Sequence, residues 1–520
     1  MQQFLNLLTS LSLASIITAC GGGGSESASE PPNITVTPTP ATQPTPPEEE
    51  AFFQPAITLP SSAGYIPDDC AGGERHFNIP VNINDDEYMD FVAQFWCESE
   101  TGTGAVPNVL VAFVSFADGQ YVIDNTTVFG EEYPALSGSI GGQATADING
   151  DGKLDVALSV INEDGRTTTG EDGELNNSGT PTVLMSTDTG FEIVQIGVPE
   201  WGGPVVIRDN VIHFAGTRMC NIEPFLCHQT YSYDGENFVD VTADYPRLSN
   251  YDFTYLDDDT ILVSDFYDSG AEIGYDFGVI KYQRGEQGWD AVDHFSYGTL
   301  SEIQYLTWNE QMSGSNQYTT RMMLTTPDGE QVLGIHSTEV QTVSVDGQAK
   351  VLVALAGEIN PDEQIQPGAQ VVEGDQGQLL YNRVIILDAD TLQTSDTNIV
   401  DQQINLSGSV QLVDVNSDGY QDLVLNTITP VNYMDQDPVL YGLPYIYLMD
   451  PEQNSFVHAN TDVLDINDNP NLGMYDVASF VGDFNADGLQ DIISVTVYNN
   501  DYNTYGDQIY LANRAMFEEQ

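Results

Sequence analysis

Positive charge is what this chain lacks most. Its 520 residues include 12 Lys and Arg against 79 Asp and Glu, a formal net charge of −67. Phosphate backbones are held by dense basic faces and anionic lipid headgroups by basic patches. Nucleic-acid binding and electrostatic adhesion to lipid are therefore excluded. Histidine is also scarce: the 6 residues His76, His213, His228, His294, His336 and His458 are scattered, so no metal or catalytic histidine cluster is visible. HExxH, GxSxG, Walker A and GxGxxG motifs are all missing. Long helical periodicity is missing too. The apolar run at the start, residues 4 to 17, is shorter than the ~20 residues a spanning helix needs.

The chain is nonetheless 41% hydrophobic and 10% aromatic, too apolar for a disordered acidic tail. With so few cations, most carboxylates must be hydrated or bound to metal ions.

Residues 1–19 read as a signal peptide, although Met1-Gln2-Gln3 carries no basic residue. Ile17-Thr18-Ala19-Cys20 resembles a bacterial lipobox, which implies lipidation of Cys20, export and anchoring in the cell envelope at the outer membrane. The alternative is an ordinary signal cut after Ala19. Residues 20–50 pass from Gly/Ser to Pro/Thr, a tether expected to be flexible first and then polyproline-like. Its ~30 residues at ~3.1 Å each would span about 90 Å. Cys70, Cys97, Cys220 and Cys227 follow, an even number that favours disulfides in an exported protein. Cys220 with Cys227 is the local pair and leaves Cys70 with Cys97; three connectivities are open.

A repeat carries the chemistry. Asp147-Ile148-Asn149-Gly150-Asp151-Gly152-Lys153-Leu154-Asp155 aligns without gaps with Asp414–Asp422 and with Asp483–Asp491. Each copy precedes an apolar run and follows an alternating one, so each reads as a strand–loop–strand unit. Ca²⁺ takes six to eight hard oxygens at about 2.3–2.6 Å. The spacing offers side chains at positions 1, 3, 5 and 9 and a backbone carbonyl at position 7. The candidate metal residues are therefore Asp147, Asn149, Asp151, Lys153 and Asp155; Asp414, Asn416, Asp418, Tyr420 and Asp422; and Asp483, Asn485, Asp487, Leu489 and Asp491. Gly152, Gly419 and Gly488 at position 6 allow a sharp bend without a Cβ clash. Two carboxylates 4 Å apart repel by about 4 kcal/mol at an effective dielectric of 20, a cost that a divalent cation removes. An EF-hand would need Glu at position 12 and flanking helices. Leu158, Leu425 and Ser494 stand there instead. A weaker copy, Asn82, Asn84, Asp86 and Asp90, has Glu87 where the glycine belongs and one carboxylate fewer, so it is expected to bind more weakly, if at all.

These loops resemble the FG-GAP/VCBS repeat family, whose relatives include the integrin α-subunit propeller. The resemblance implies that each loop joins the first two strands of a propeller blade and binds Ca²⁺. It covers the three loops well and the rest of the chain weakly.

Spacing then counts the blades. The loops start at 82, 147, 414 and 483, with outer steps of 65 and 69 and a middle gap of 267, close to four steps. Apolar–turn–apolar patterns at 205–212, 255–263 and 343–353 supply three blades with metal-free turns. The expectation is an all-β, seven-bladed propeller over residues 51–520, with residues 303–336 an insertion or an eighth blade. A strand from residues 51 to 60 is expected to complete the last blade.

Function is less legible. The lipobox, the tether and the missing catalytic motifs favour a membrane-anchored binding or adhesion module for a protein or glycan. The alternatives are a polysaccharide-acting propeller enzyme and a periplasmic envelope-assembly scaffold. Most of the 26 tyrosines alternate within strands, as at Tyr445 and Tyr447, and read as packing residues.

Overall fold

The computed structural model describes residues 53–60, 64–67, 70–84, 86–99, 108–115, 120–136, 138–161, 168–169, 175–176, 180–197, 203–219, 226–246, 248, 252–267, 276–286, 288–307, 318–325, 331–345, 348–359, 379–396, 406–427, 445–451, 455–459, 480–494 and 508–513. The signal peptide, Cys20, the tether and Cys220 lie outside the described residues. No described helix is long and apolar enough to cross a membrane.

Seven blades form a β-propeller. Blade 1 runs Cys70–Val81, Asp90–Ser99, Asn108–Ser115 and Tyr121–Ile123, each strand antiparallel to the next. Blade 2 is Ser139–Ala146, Asp155–Ile161, Thr182–Ser186 and Phe191–Gln195; blade 3 is Val205–Arg208, Val211–Met219, Leu226–Tyr233 and Phe238–Asp240. Blade 6 is Leu406–Val413, Asp422–Thr427, Tyr445–Asp450 and Ser455–His458. Blade 7 takes Phe480–Gly482, Asp491–Ser494 and Gln508–Ala512 from the end of the chain and Phe53–Thr58 from its beginning. The expected closing strand is thus found, paired antiparallel from Phe53 opposite Ala512 to Thr58 opposite Gln508.

Blades 4 and 5 share one nine-stranded sheet, and here the insertion is resolved. Blade 4 is Asp252–Asp257, Thr260–Tyr267, Asp276–Gly285 and the first part of Gly288–Thr307. That last strand overruns its blade, and its second part pairs with Tyr318–Thr325. Tyr318–Thr325 pairs with the start of Gln331–Val345, the inner strand of blade 5, which continues through Gln348–Ile359, Leu379–Asp388 and Thr394–Asp396. The described parts of residues 303–336 therefore extend two blades and do not make an eighth.

The core sits between blades. A strand points alternate side chains to opposite faces. Val156, Leu158 and Val160 accordingly pack toward blade 1, while Ala157 packs toward blade 3. Seven buried apolar clusters occupy the seven junctions. The ring closes where Phe484, Ile493 and Ile509 of blade 7 meet Phe91, Val111 and Phe113 of blade 1. Packing near the inner strands leaves little space. A Cβ on Gly142 in blade 2 would stand 2.1 Å from the Gly203 carbonyl oxygen at the start of blade 3.

Cys70 and Cys97 lie on the paired first and second strands of blade 1, with Cys70 opposite Ser99, two positions from Cys97. Cys227 lies opposite Arg218 in blade 3.

Ile509 is fully buried in the closing junction. Ile509→Ala is expected to cost about 2–4 kcal/mol by urea unfolding, because it removes apolar contacts and leaves a cavity. Val292→Ala, at a side chain 52% exposed, should stay within about 0.5 kcal/mol.

Candidate metal centre

Equivalent blades place every connection between first and second strands on one face of the ring. Four of these connections are the nine-residue loops of blades 1, 2, 6 and 7; the other three are short turns. The three full copies fold alike. In blade 2, Asp147 accepts from the backbone N–H groups of Gly150 (2.7 Å), Asp151 (3.1 Å) and Gly152 (2.9 Å). Asn149 Oδ1 accepts from Asp151 N (2.8 Å), and Asp151 Oδ1 from Lys153 N (2.8 Å). All of these except the bond from position 4 recur around Asp414, Asn416 and Asp418 in blade 6 and around Asp483, Asn485 and Asp487 in blade 7. The side chains at positions 1, 3 and 5 thereby wind the loop around themselves. The position-6 glycines take φ of +90°, +92° and +86°, as a tight bend requires. Position 4 is left-handed as well: glycine serves in blade 2, but Ser417 (φ +57°) and Ala486 (φ +58°) bear the strain in the other two.

The ninth aspartate has a role that ligand spacing did not reveal. Asp155, Asp422 and Asp491 are completely buried. One oxygen of each accepts from the N–H of loop position 2: Ile148 (2.8 Å), Val415 (2.8 Å) and Phe484 (2.9 Å). The other accepts from the blade's third strand, at Ser186 N (2.7 Å), Met449 N (2.9 Å) and Ala512 N (2.8 Å). The carboxylate staples the loop to its blade. Asp90 does the same between Ile83 N (2.7 Å) and Ser115 N (2.7 Å). The signal for this staple is in the sequence after all: the weak copy loses its glycine and keeps its ninth aspartate.

Holding that charge in the interior is costly. Burial first, and then repulsion from Asp418 and Asp414, pushes the Asp422 carboxyl up to about 7 against the two N–H bonds that lower it. Burial, with repulsion from Asp487 and Asp483, likewise raises Asp491 to about 7. Asp90 is raised by burial and, less, by Asp86. In blades 1, 6 and 7 the ninth carboxylate therefore feels the charge of the loop tip.

The donor set suits a hard divalent cation: two carboxylates and an amide at the tip and a carboxylate at the base. At Asp422 and Asp491 each oxygen keeps a second lone pair beyond its N–H bond, whereas at Asp155 the oxygens also accept from Asn149 N (3.3 Å) and Ser186 Oγ (2.8 Å). In blade 1, Asn82 donates its amide to the Asp86 carbonyl, and its Oδ1 is a buried acceptor with no hydrogen-bond partner, the kind of atom a cation satisfies. Among the described residues, however, no three His, Cys, Asp or Glu side chains are gathered as a ready metal cluster. The tip carboxylates hold their own loops.

No family model and no curated protein matches the chain. Among solved structures, the fructofuranosidase from Schwanniomyces occidentalis complexed with fructose is 11% identical, with a TM-score of 0.29 over 86% of this chain and 64% of that one. A point variant of that enzyme complexed with fructosylnystose is 12% identical, with a TM-score of 0.30 over 78% of this chain and 64% of that one. A protein of unknown function from Dyadobacter fermentans is 11% identical, with a TM-score of 0.29 over 75% of this chain and 95% of that one. The chain thus spans less than two thirds of the fructofuranosidase chains. At these TM-scores the propeller stands on its own strand pairing.

Two outcomes are expected. Gly488→Ala forces a Cβ into left-handed backbone and should cost about 1–2 kcal/mol by thermal or urea unfolding. In chelator, Asp422 and Asp491 hold protons in the folded state up to pH about 7, while unfolded aspartate releases them near 3.9. The folded state binds more protons between those values, so their contribution to stability is full below pH ~4 and is lost as pH rises through 7. The melting temperature should fall across that window, and Asp422→Asn with Asp491→Asn should flatten the slope even while lowering the midpoint.

Proposed function

We propose that this chain is a calcium-stabilised propeller lipoprotein that serves as a binding, adhesion or protein-interaction module at the bacterial cell envelope. The observation that carries the calcium part is the loop skeleton, repeated three times on one face around a buried ninth carboxylate, which in blades 6 and 7 is raised by burial and by the loop-tip aspartates. The residues that would hold Ca²⁺ are the first, third, fifth and ninth of each loop, with the carbonyls of Lys153, Tyr420 and Leu489. The weak copy at Asn82, Asn84, Asp86 and Asp90 is a fourth, poorer site. Bound there, Ca²⁺ supplies positive charge against the clustered carboxylates. The chain's own residues hold the loop shape and tie it to the third strand. The role is structural: the ions stiffen a rigid disc whose other surfaces are left for recognition of a protein or glycan.

The envelope part rests on sequence. The lipobox-like Ile17-Thr18-Ala19-Cys20 and the extended tether supply an anchor and reach. A surface at −67 stays soluble and repels anionic membrane. Attachment therefore falls to the lipid on Cys20.

Calcium should raise the melting temperature and EDTA lower it. A site at 100 times its dissociation constant adds about 2.7 kcal/mol, and three such sites on one cooperative unit add severalfold more. Asp151→Asn, Asp418→Asn and Asp487→Asn together should abolish most of the calcium response. A melt indifferent to EDTA would sink the calcium reading. In cells, Cys20→Ala should shift the protein from the membrane pellet to the soluble fraction.

A further inference from the structure

The loop-bearing face is uneven. Blades 3 and 4 make their first connections by short turns at Asp209-Asn210 and Asp258-Asp259, so no nine-residue loop covers their junction. Toward that end of the junction stands an aromatic series whose members hold one another. Trp289 donates its indole N–H to the Asp244 carbonyl (3.0 Å) and lies offset against Tyr245, with centroids 6.2 Å apart and planes at 25°. Tyr245 meets His213 edge-on at 4.6 Å. His213 is wholly buried and fixed at both nitrogens, Nδ1 to Thr230 Oγ1 (3.0 Å) and Nε2 to Tyr255 OH (2.6 Å). Burial, and then the neighbouring His228, lowers it to about 3, so the imidazole is a neutral spacer and not a charge. Tyr255 lies beneath the Arg208 guanidinium at 4.9 Å, and Arg208 pairs with Asp258. Arg284, exposed, rests 5.8 Å from the Trp289 ring and makes no ion pair among the described residues.

These rings pack against the core of the blade 3–4 junction, and two further features point beyond packing. The chain has only 12 cationic side chains, and 2 of them converge on these rings. Trp289, Tyr245 and Tyr255 remain half-buried, although a buried histidine and three hydrogen bonds hold the series in place. Preset aromatic and arginine side chains lose little freedom on binding, and these residue types dominate hot spots.

We infer that this junction is a binding site for a neutral saccharide, with Trp289 and Tyr245 as the stacking platform and Arg284 as a hydroxyl-binding donor. The inference rests on the binding-module reading and deepens it. A sugar ring offers a C–H face to aromatic rings, and its hydroxyls both donate and accept. It therefore suits a rim that mixes a guanidinium with exposed carboxylates. Asp244, Asp258, Asp259, Glu286 and Asp290 outnumber the two arginines and are exposed. Their combined negative charge disfavours an anionic ligand and leaves a neutral one unaffected.

The test uses calorimetric titration of the full chain in calcium with neutral glucan, galactan and mannan oligosaccharides and with an oligogalacturonate of equal length. At least one neutral sugar should bind, more tightly than the uronate and with little salt dependence. Trp289→Ala and Arg284→Gln should each weaken it about tenfold or more. Arg284→Gln changes an exposed residue, so it keeps the test open should Trp289→Ala fail to fold. Tighter uronate binding, or neutral binding untouched by Arg284→Gln in a folded variant, overturns the inference. So does the absence of any neutral binding. Capture of a protein from native envelope by that same chain would leave the binding-module reading intact while this site fell.

Discussion

A ring of sheets is stable only if its last sheet meets its first. Every blade here buries both faces of its middle strands against neighbours, so an open ring would leave one junction of the seven exposed to water. Closure falls on the strand Phe53–Thr58, which completes a blade otherwise built from the far end of the chain. Stability is therefore non-local: Ile509 and Phe91, more than 400 residues apart, share one cluster. Contacts of such separation become favourable only after a long loop has been closed, and so they form late and cooperatively.

Charge is the second constraint, and it works against the first. A −67 chain repels itself when compact. Where carboxylates face water the cost is screened within a Debye length of about 8–10 Å. Where they are buried, as at Asp155, Asp422 and Asp491, the protein meets the cost with N–H donors from two directions. Those bonds link loop to blade, but they do not cancel the charge, which is why burial still wins at Asp422 and Asp491.

The parts legible in sequence were those with local rules. A nine-residue loop with glycine at position 6 announces its bend, and alternating apolar flanks announce strands. The turns at 205–212, 255–263 and 343–353 were found because spacing said where to look. What escaped depended on tertiary position. Residues 303–336 have the alternation of blade strands, and only pairing partners distinguish a blade from an overrun hairpin. Ser417 and Ala486 give no sign of positive φ, since neither residue type favours it. Spacing marks the ninth aspartate as a ligand, but it does not show that the same carboxylate bonds backbone N–H groups of both the loop and the third strand. The aromatic series at His213, Tyr245, Tyr255 and Trp289 has no period at all, because its members come from three strands of two blades and from the connection between those blades.

The two arcs of the loop-bearing face follow from one division of labour. Blades 1, 2, 6 and 7 adjoin the point where the chain's ends meet, and they carry the long acidic loops. Ser417 Oγ even donates to the Gly488 carbonyl, tying the loops of blades 6 and 7 together. Blades 3, 4 and 5 lie opposite. Blades 4 and 5 are already joined through one continuous sheet. A short turn there costs the ring little rigidity, and it uncovers side chains that a nine-residue loop would overhang. The long acidic loops are thus concentrated where the ring closes, and the half-buried aromatic series stands on the opposite arc, at the junction of blades 3 and 4.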